Sequence, residues 1–197
     1  AGSTTFIVDG NEVPTSTVTQ TMETPSYKKG FYYLNNSKPA RWDPCRAITY
    51  SVKTDHLAVD QVDSAIADVE STLAVISKHS GLEFAQVESD GNIEVDFDVP
   101  SVERAAGVTT YETEKIGVRG IEYEELVSAN VVVKPTLSQE WRQNVLLHEM
   151  MHAVGIGHSK GLMSLLQTDG VLHEGDILGL QAVGANDGCF PSYFAAK

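Results

Sequence analysis

The eleven residues His148-Glu149-Met150-Met151-His152-Ala153-Val154-Gly155-Ile156-Gly157-His158 constrain this chain more than any other stretch, because they spell H-E-x-x-H-x-x-G-x-x-H. Residues four apart share one face of a helix, so a helix here aims His148 and His152 at one metal ion and sets Glu149 beside them. Gly155 tolerates positive φ and can end that helix, which lets the chain turn back and bring in His158 as a third ligand. A fourth coordination position stays open for water. Neutral imidazoles leave zinc its Lewis acidity, which lowers the pKa of a bound water toward about 7. A neighbouring carboxylate can take the proton of that water and hand it to a leaving amine. Glu149 suits that task better than the task of a ligand. Ordinary helix histidines are the plain alternative, and H-E-x-x-H alone does arise by accident; five fixed positions in eleven seldom do.

The rest of the chain reads as one domain around this helix. Ile48 to Val52 is rich in β-formers, and Val59, Val62, Ile66, Val69, Leu73 and Ile76 then follow at spacings of three and four, which predicts an amphipathic helix. Ile93, Val95 and Phe97 alternate with Glu94, Asp96 and Asp98 as in a half-buried strand. Residues 106–113 predict another strand, and Val131-Val132-Val133 a run buried on both faces. Thr136 with Gln139, or Ser138 alone, caps the motif helix, whose Trp141, Val145, Leu146 and Met150 can pack on the sheet. A last helix is expected over about residues 174–184, with His173 capping or on the surface. His56 and His79 read as surface or capping residues, not ligands. Residues 1–40, rich in Thr, Ser and Pro, read as an N-terminal arm or the remnant of a pro-segment, with no functional part expected of them, and residues 41–197 as the catalytic domain.

Composition narrows the partners. Fourteen basic against 27 acidic side chains give a formal charge of −13, which opposes binding to nucleic acid or anionic lipid. No apolar run is long enough to span a membrane. Asp90, Glu94, Asp96 and Asp98 can be read as a calcium cluster, though without the ligand spacing of an EF-hand. Cys45 and Cys189 are the only cysteines. Buried thiols or redox partners are the alternatives, but a disulfide between them would tie the C-terminal tail to the domain and place the protein in an oxidising, extracellular compartment.

With Met163 in Gly161-Leu162-Met163-Ser164, the motif resembles that of the metzincin metallopeptidases, in which a tight turn carrying a Met lies beneath the metal. Ser159, directly after the third histidine, is similar to the matrixin branch; astacin-like enzymes would carry Glu there, and Tyr where this chain has Leu165. Arg41-Trp42 ahead of Ile48–Val52 resembles the matrixin first strand, Ser80-Gly81-Leu82-Glu83-Phe84 the exit from its first helix, and Asp176-Ile177-Leu178-Gly179-Leu180-Gln181 the start of its last. The likeness covers about residues 40–190 and is strongest to small secreted bacterial matrixin-like proteases. Three features depart from it: a short spacer between His158 and Met163, no histidine between His79 and His148 to hold a structural zinc, and no Pro-Arg-Cys-Gly switch.

The resemblance implies an α/β (α+β) metzincin-like fold: a twisted, mostly parallel sheet with one antiparallel edge strand, a backing helix, the zinc-site helix and a small C-terminal subdomain. It implies a secreted, monomeric zinc endopeptidase with one catalytic Zn2+ and, commonly in matrixins, Ca2+. Glu149 would be the catalytic base, with a protein or peptide substrate extended along the edge strand. Leu165, Leu166, Val171 and Leu172 would wall the main specificity pocket, favouring an apolar side chain just after the cut, unless they are core. The alternative from another class is a non-catalytic zinc-binding interaction or adhesion domain derived from a metzincin; the intact Glu149 argues against it.

Overall fold

The structure, a computed structural model, describes residues 4–10, 31–34, 39–102, 104–118, 121–158 and 171–190. Nine strands and three α-helices are found among them. They are β1 (Thr4–Gly10), β2 (Tyr32–Tyr33), β3 (Ala40–Arg41), β4 (Ile48–Lys53), α1 (Val62–Ser80), β5 (Phe84–Gln86), β6 (Ile93–Asp96), β7 (Gly107–Val118), β8 (Ile121–Val133), α2 (Gln139–Ala153), β9 (Ile156–Gly157) and α3 (Glu174–Val183).

The main sheet runs β1-β7-β8-β6-β4-β5, with the short β3 parallel to β8. The pairs β4–β5, β4–β6 and β6–β8 are parallel, so the fold is mixed α/β with a mostly parallel sheet. The expected single antiparallel edge strand takes a different form. β7 is antiparallel to β8 but is not the edge, because β1 pairs antiparallel with its outer side. β7 and β8 form a long hairpin, whose length the charges of Glu112, Glu114, Lys115, Glu122, Glu124 and Glu125 conceal in a reading that looks for apolar alternation.

One face of the sheet carries the core. Ile48, Tyr50, Ile93, Val95, Val131 and Val133 are buried, and α2 packs against β7 and β8. Val132 is only half-buried, so the valine run is not enclosed on both faces as expected; alternation along the strand turns it to the other side. The amphipathic helix begins later than its pattern suggests. Val59 lies in a preceding 3-10 turn and is 92% exposed, while Ala65, Val69, Leu73 and Ile76 form the buried stripe. Gly81, at φ 72°, closes α1.

Arg41 and a disulfide fasten residues 188–190 to this body. The Arg41 guanidinium donates to Gly188 O at 2.8 Å and lies 4.4 Å from the Phe190 ring centroid. Cys45 and Cys189 are joined in a disulfide across a sequence separation of 144. Closing a loop that long restricts the unfolded chain by about 4–5 kcal/mol in the chain-entropy model. The Cys45→Ser, Cys189→Ser variant should therefore fold but melt at a clearly lower temperature, as followed by circular dichroism. An unchanged melting temperature would show that the bridge adds nothing.

Candidate metal centre

α2 delivers the site. Its N-cap Ser138 accepts from Trp141 N at 3.4 Å, and Val145, Leu146 and Met150 have no exposed surface. Trp141, expected in the core, is instead 52% exposed. The next residue, Arg142, goes inward because a partner is waiting on α1: its Nε donates to Asp68 Oδ2 at 2.7 Å. Periodicity cannot reveal a buried ion pair.

His148 and His152 stand one turn apart on the buried side of α2, and the helix stops at Ala153. Gly155 then takes φ 113°, and a Cβ there would lie 2.5 Å from Ala40 O. Only glycine fits such a turn. The chain past the turn is held from outside the motif. Trp42 Nε1 donates to Ala153 O at 2.8 Å, Leu34 N donates to Gly155 O at 3.3 Å, and Tyr32–Tyr33 pairs antiparallel with Ile156–Gly157. Residues 32–34 and Trp42 thus clamp the segment that presents His158, a structural part in the site that sequence reading did not assign to anything before residue 41. The Arg41-Trp42 pair was the one available signal.

The three imidazoles converge through their Nε2 atoms. His148 to His152 is 3.1 Å, His148 to His158 3.3 Å and His152 to His158 2.9 Å. Three nitrogens about 2.0–2.1 Å from one tetrahedral ion would stand roughly 3.3 Å apart, so the set is close to that of a bound metal. His152 Nδ1 lies 2.7 Å from Ile156 O, and a carbonyl can only accept. The proton therefore sits on Nδ1 and leaves Nε2 with a lone pair for the metal. Burial, and next the charge on His158, push the His148 pKa down to about 3. Burial first, then His158 and His148, lower that of His152 against the opposing pull of its bond to Ile156. Both rings are neutral at physiological pH, as ligands must be.

Glu149 is fully buried beside them. The Thr109 hydroxyl, on β7, donates to Glu149 Oε2 at 2.6 Å and also lies 3.0 Å from Glu149 O. Gly107, two residues earlier on the same face, leaves the space the carboxylate occupies: a Cβ there would come within 2.8 Å of its Cγ and 3.0 Å of Oε1. Neither residue stands out in the sequence. Thr109→Val should keep the metal but lower any Glu149-dependent turnover by roughly ten- to a hundredfold, the worth of a hydrogen bond to a charged group at about 1.5–3 kcal/mol. Thr109→Ser should retain most of it. Steady-state rates of the two variants at equal metal content check this.

The other candidates separate. Met163, Leu165 and Leu166 lie outside the described residues. Val171 is 61% exposed, and Leu172 packs partly buried against the core. His173 is the N-cap of α3, with its N–H donating to Asp176 Oδ2 at 2.9 Å. Glu94 pairs with Lys53 Nζ at 2.6 Å, so the four acidic residues form no joint donor set; His56, Asp96 and Asp98 come together instead.

Fold and site together describe a mixed α/β protein with three histidines placed to hold one metal ion and a carboxylate next to them. The crystal structure of myroilysin is similar to part of this chain, with 15% identity and a TM-score of 0.36, covering 71% of this chain and 59% of that one. The chain thus spans 59% of the length of that protein. No protein-family model matches the chain, and no curated protein does.

Proposed function

We propose that the protein is a secreted zinc-dependent endopeptidase of the metzincin class, matrixin-like, with His148, His152 and His158 as zinc ligands and Glu149 as the base. The observation that carries this reading is the convergence of three Nε2 atoms within 2.9–3.3 Å of one another, next to a carboxylate held by Thr109. Three imidazole nitrogen donors suit zinc, and fewer than four protein ligands is the pattern of a catalytic site. Zinc held by His148, His152 and His158 would supply Lewis acidity to a substrate carbonyl and to a water. Glu149 takes the proton from that water as it attacks the peptide carbonyl, and returns it to the amine as the C–N bond breaks. Thr109 and Gly107 fix the carboxylate for both transfers. The disulfide agrees with an extracellular setting, and no described helix is long and apolar enough to cross a membrane. A non-catalytic zinc domain would not need Glu149 in this position.

His158→Ala reduces the donor set from three to two. The variant should lose zinc on dialysis against a mild chelator, together with cleavage of denatured casein. Full zinc occupancy after that dialysis would place the third ligand elsewhere.

A further inference from the structure

We propose that the Cys45–Cys189 disulfide is a redox latch on the metal centre: closed, it keeps the three histidines fit to hold zinc, and opened by a dithiol it lets the ion go. The proposal rests on the zinc reading for the identity of the ion and needs nothing from the peptidase reading. Three observations lead to it.

The bridge is within reach of a reductant. Cys45 and Cys189 are both exposed, although Arg41, Trp42 and Phe190 close to them in the chain are buried. A dithiol thiolate attacks one sulfur of the bridge and expels the other as a thiolate, and the second thiol of the reagent then displaces the remaining cysteine from the mixed disulfide. Two electrons and two protons pass to the protein, which is left with two thiols, and the reagent leaves as a cyclic disulfide.

The bridge holds the tail that Arg41 needs. Gly188 and Phe190 flank Cys189; the Gly188 carbonyl accepts from Arg41 Nη1 at 2.8 Å, and the Phe190 ring centroid lies 4.4 Å from the guanidinium carbon. Arg41 is only 6% exposed, so its charge depends on these contacts. Glu125, its register neighbour on β8, is bound by Arg46. Once the bridge is cut, residues 188–190 are free to leave together, and a guanidinium that has lost its partners turns toward water.

Arg41 cannot turn without its neighbours. Ala40 and Trp42 are buried on either side of it, and both touch the turn that presents His158. The Ala40 carbonyl fills the space where a Cβ on Gly155 would be, and Trp42 Nε1 donates to Ala153 O. Ala153 directly follows His152, and Gly155 lies three residues before His158. Loosening residues 40–42 therefore loosens two of the three nitrogen donors.

The test loads the full chain with zinc, reduces half of it with dithiothreitol, removes the reagent under argon, and follows transfer of the ion to a chromophoric chelator. The Cys45→Ser, Cys189→Ser variant runs beside it, because it has no thiols to compete for metal. Zinc should leave the reduced chain and the serine variant roughly ten- to a hundredfold faster than the oxidised chain, the range for lost outer support of metal ligands. Hydrogen exchange should quicken at residues 40–42 and 153–157. Arg41→Met keeps much of the side chain's length and removes the charge, so its zinc release should respond little to reduction. Equal release from the oxidised and reduced chains would overturn the proposal, as would a response to reduction that Arg41→Met leaves intact. A reduced chain and a serine variant that both lose their circular dichroism signal would overturn it too, because the bridge would then hold the whole domain and not the site. If even the oxidised chain takes up no zinc, the zinc reading falls, and the exchange at residues 40–42 and 153–157, which needs no metal, decides the latch.

Discussion

Glu149→Gln should bind zinc like the unaltered protein and lose about two to four orders of magnitude in kcat, the range of a removed general base. The amide fills the same volume beside Gly107 and can still meet the Thr109 hydroxyl, so the helix and the three imidazoles stay as they are. What goes is the site for the proton. The change should fall on kcat with KM little affected, because the group acts only once the water begins to attack. Zinc content measured beside the rate separates this from metal loss. A variant retaining most of its peptidase activity would mean that some other group takes the proton.

Asp68→Ala should give one of the large losses of stability among single changes away from the metal. Asp68 and Arg142 are 3% and 2% exposed, and they join α1 to the helix that carries the site. The carboxylate also accepts from Gln143 Nε2 at 2.7 Å, while Arg142 Nη2 donates to Ser64 Oγ at 3.0 Å. Removing the acid leaves a buried guanidinium without its counter-charge, at a cost of about 3–5 kcal/mol. Replacing both partners, as in Asp68→Leu with Arg142→Met, should cost much less, because no charge is then left unpaired. Urea unfolding of the two variants decides it. Equal losses would mean that shape at this helix contact, and not charge, sets the stability.

The metal helix and its three histidines were legible because their spacing is local: a helix face and one glycine turn bring them together within eleven residues. The disulfide could be proposed because the chain has only two cysteines. What fixes His158 was not legible, since Trp42 reaches Ala153 O and Tyr32–Tyr33 pairs with β9 across long stretches of chain. Trp141 lies outside its expected place for the same reason, with Arg142 buried beside it. An apolar residue can remain in solvent when a neighbouring cation has a buried partner, and Asp68 lies on another helix. Thr109 and Gly107 look like any strand residues until Glu149 is set against them. The strand at Thr4–Gly10 escaped notice because pairing to β7, and not its own period, defines it.

If zinc on His148, His152 and His158 makes this chain a peptidase, cleavage must follow the metal. Stripping the purified protein with a chelator and adding back zinc in measured steps tests it most directly, with cleavage of an unstructured peptide followed at each step. No cleavage is expected in the stripped protein, and recovery should be complete at one zinc per chain. Cleavage that survives in the metal-free protein, or a protein that takes up one zinc on these histidines and cleaves no peptide, would contradict it.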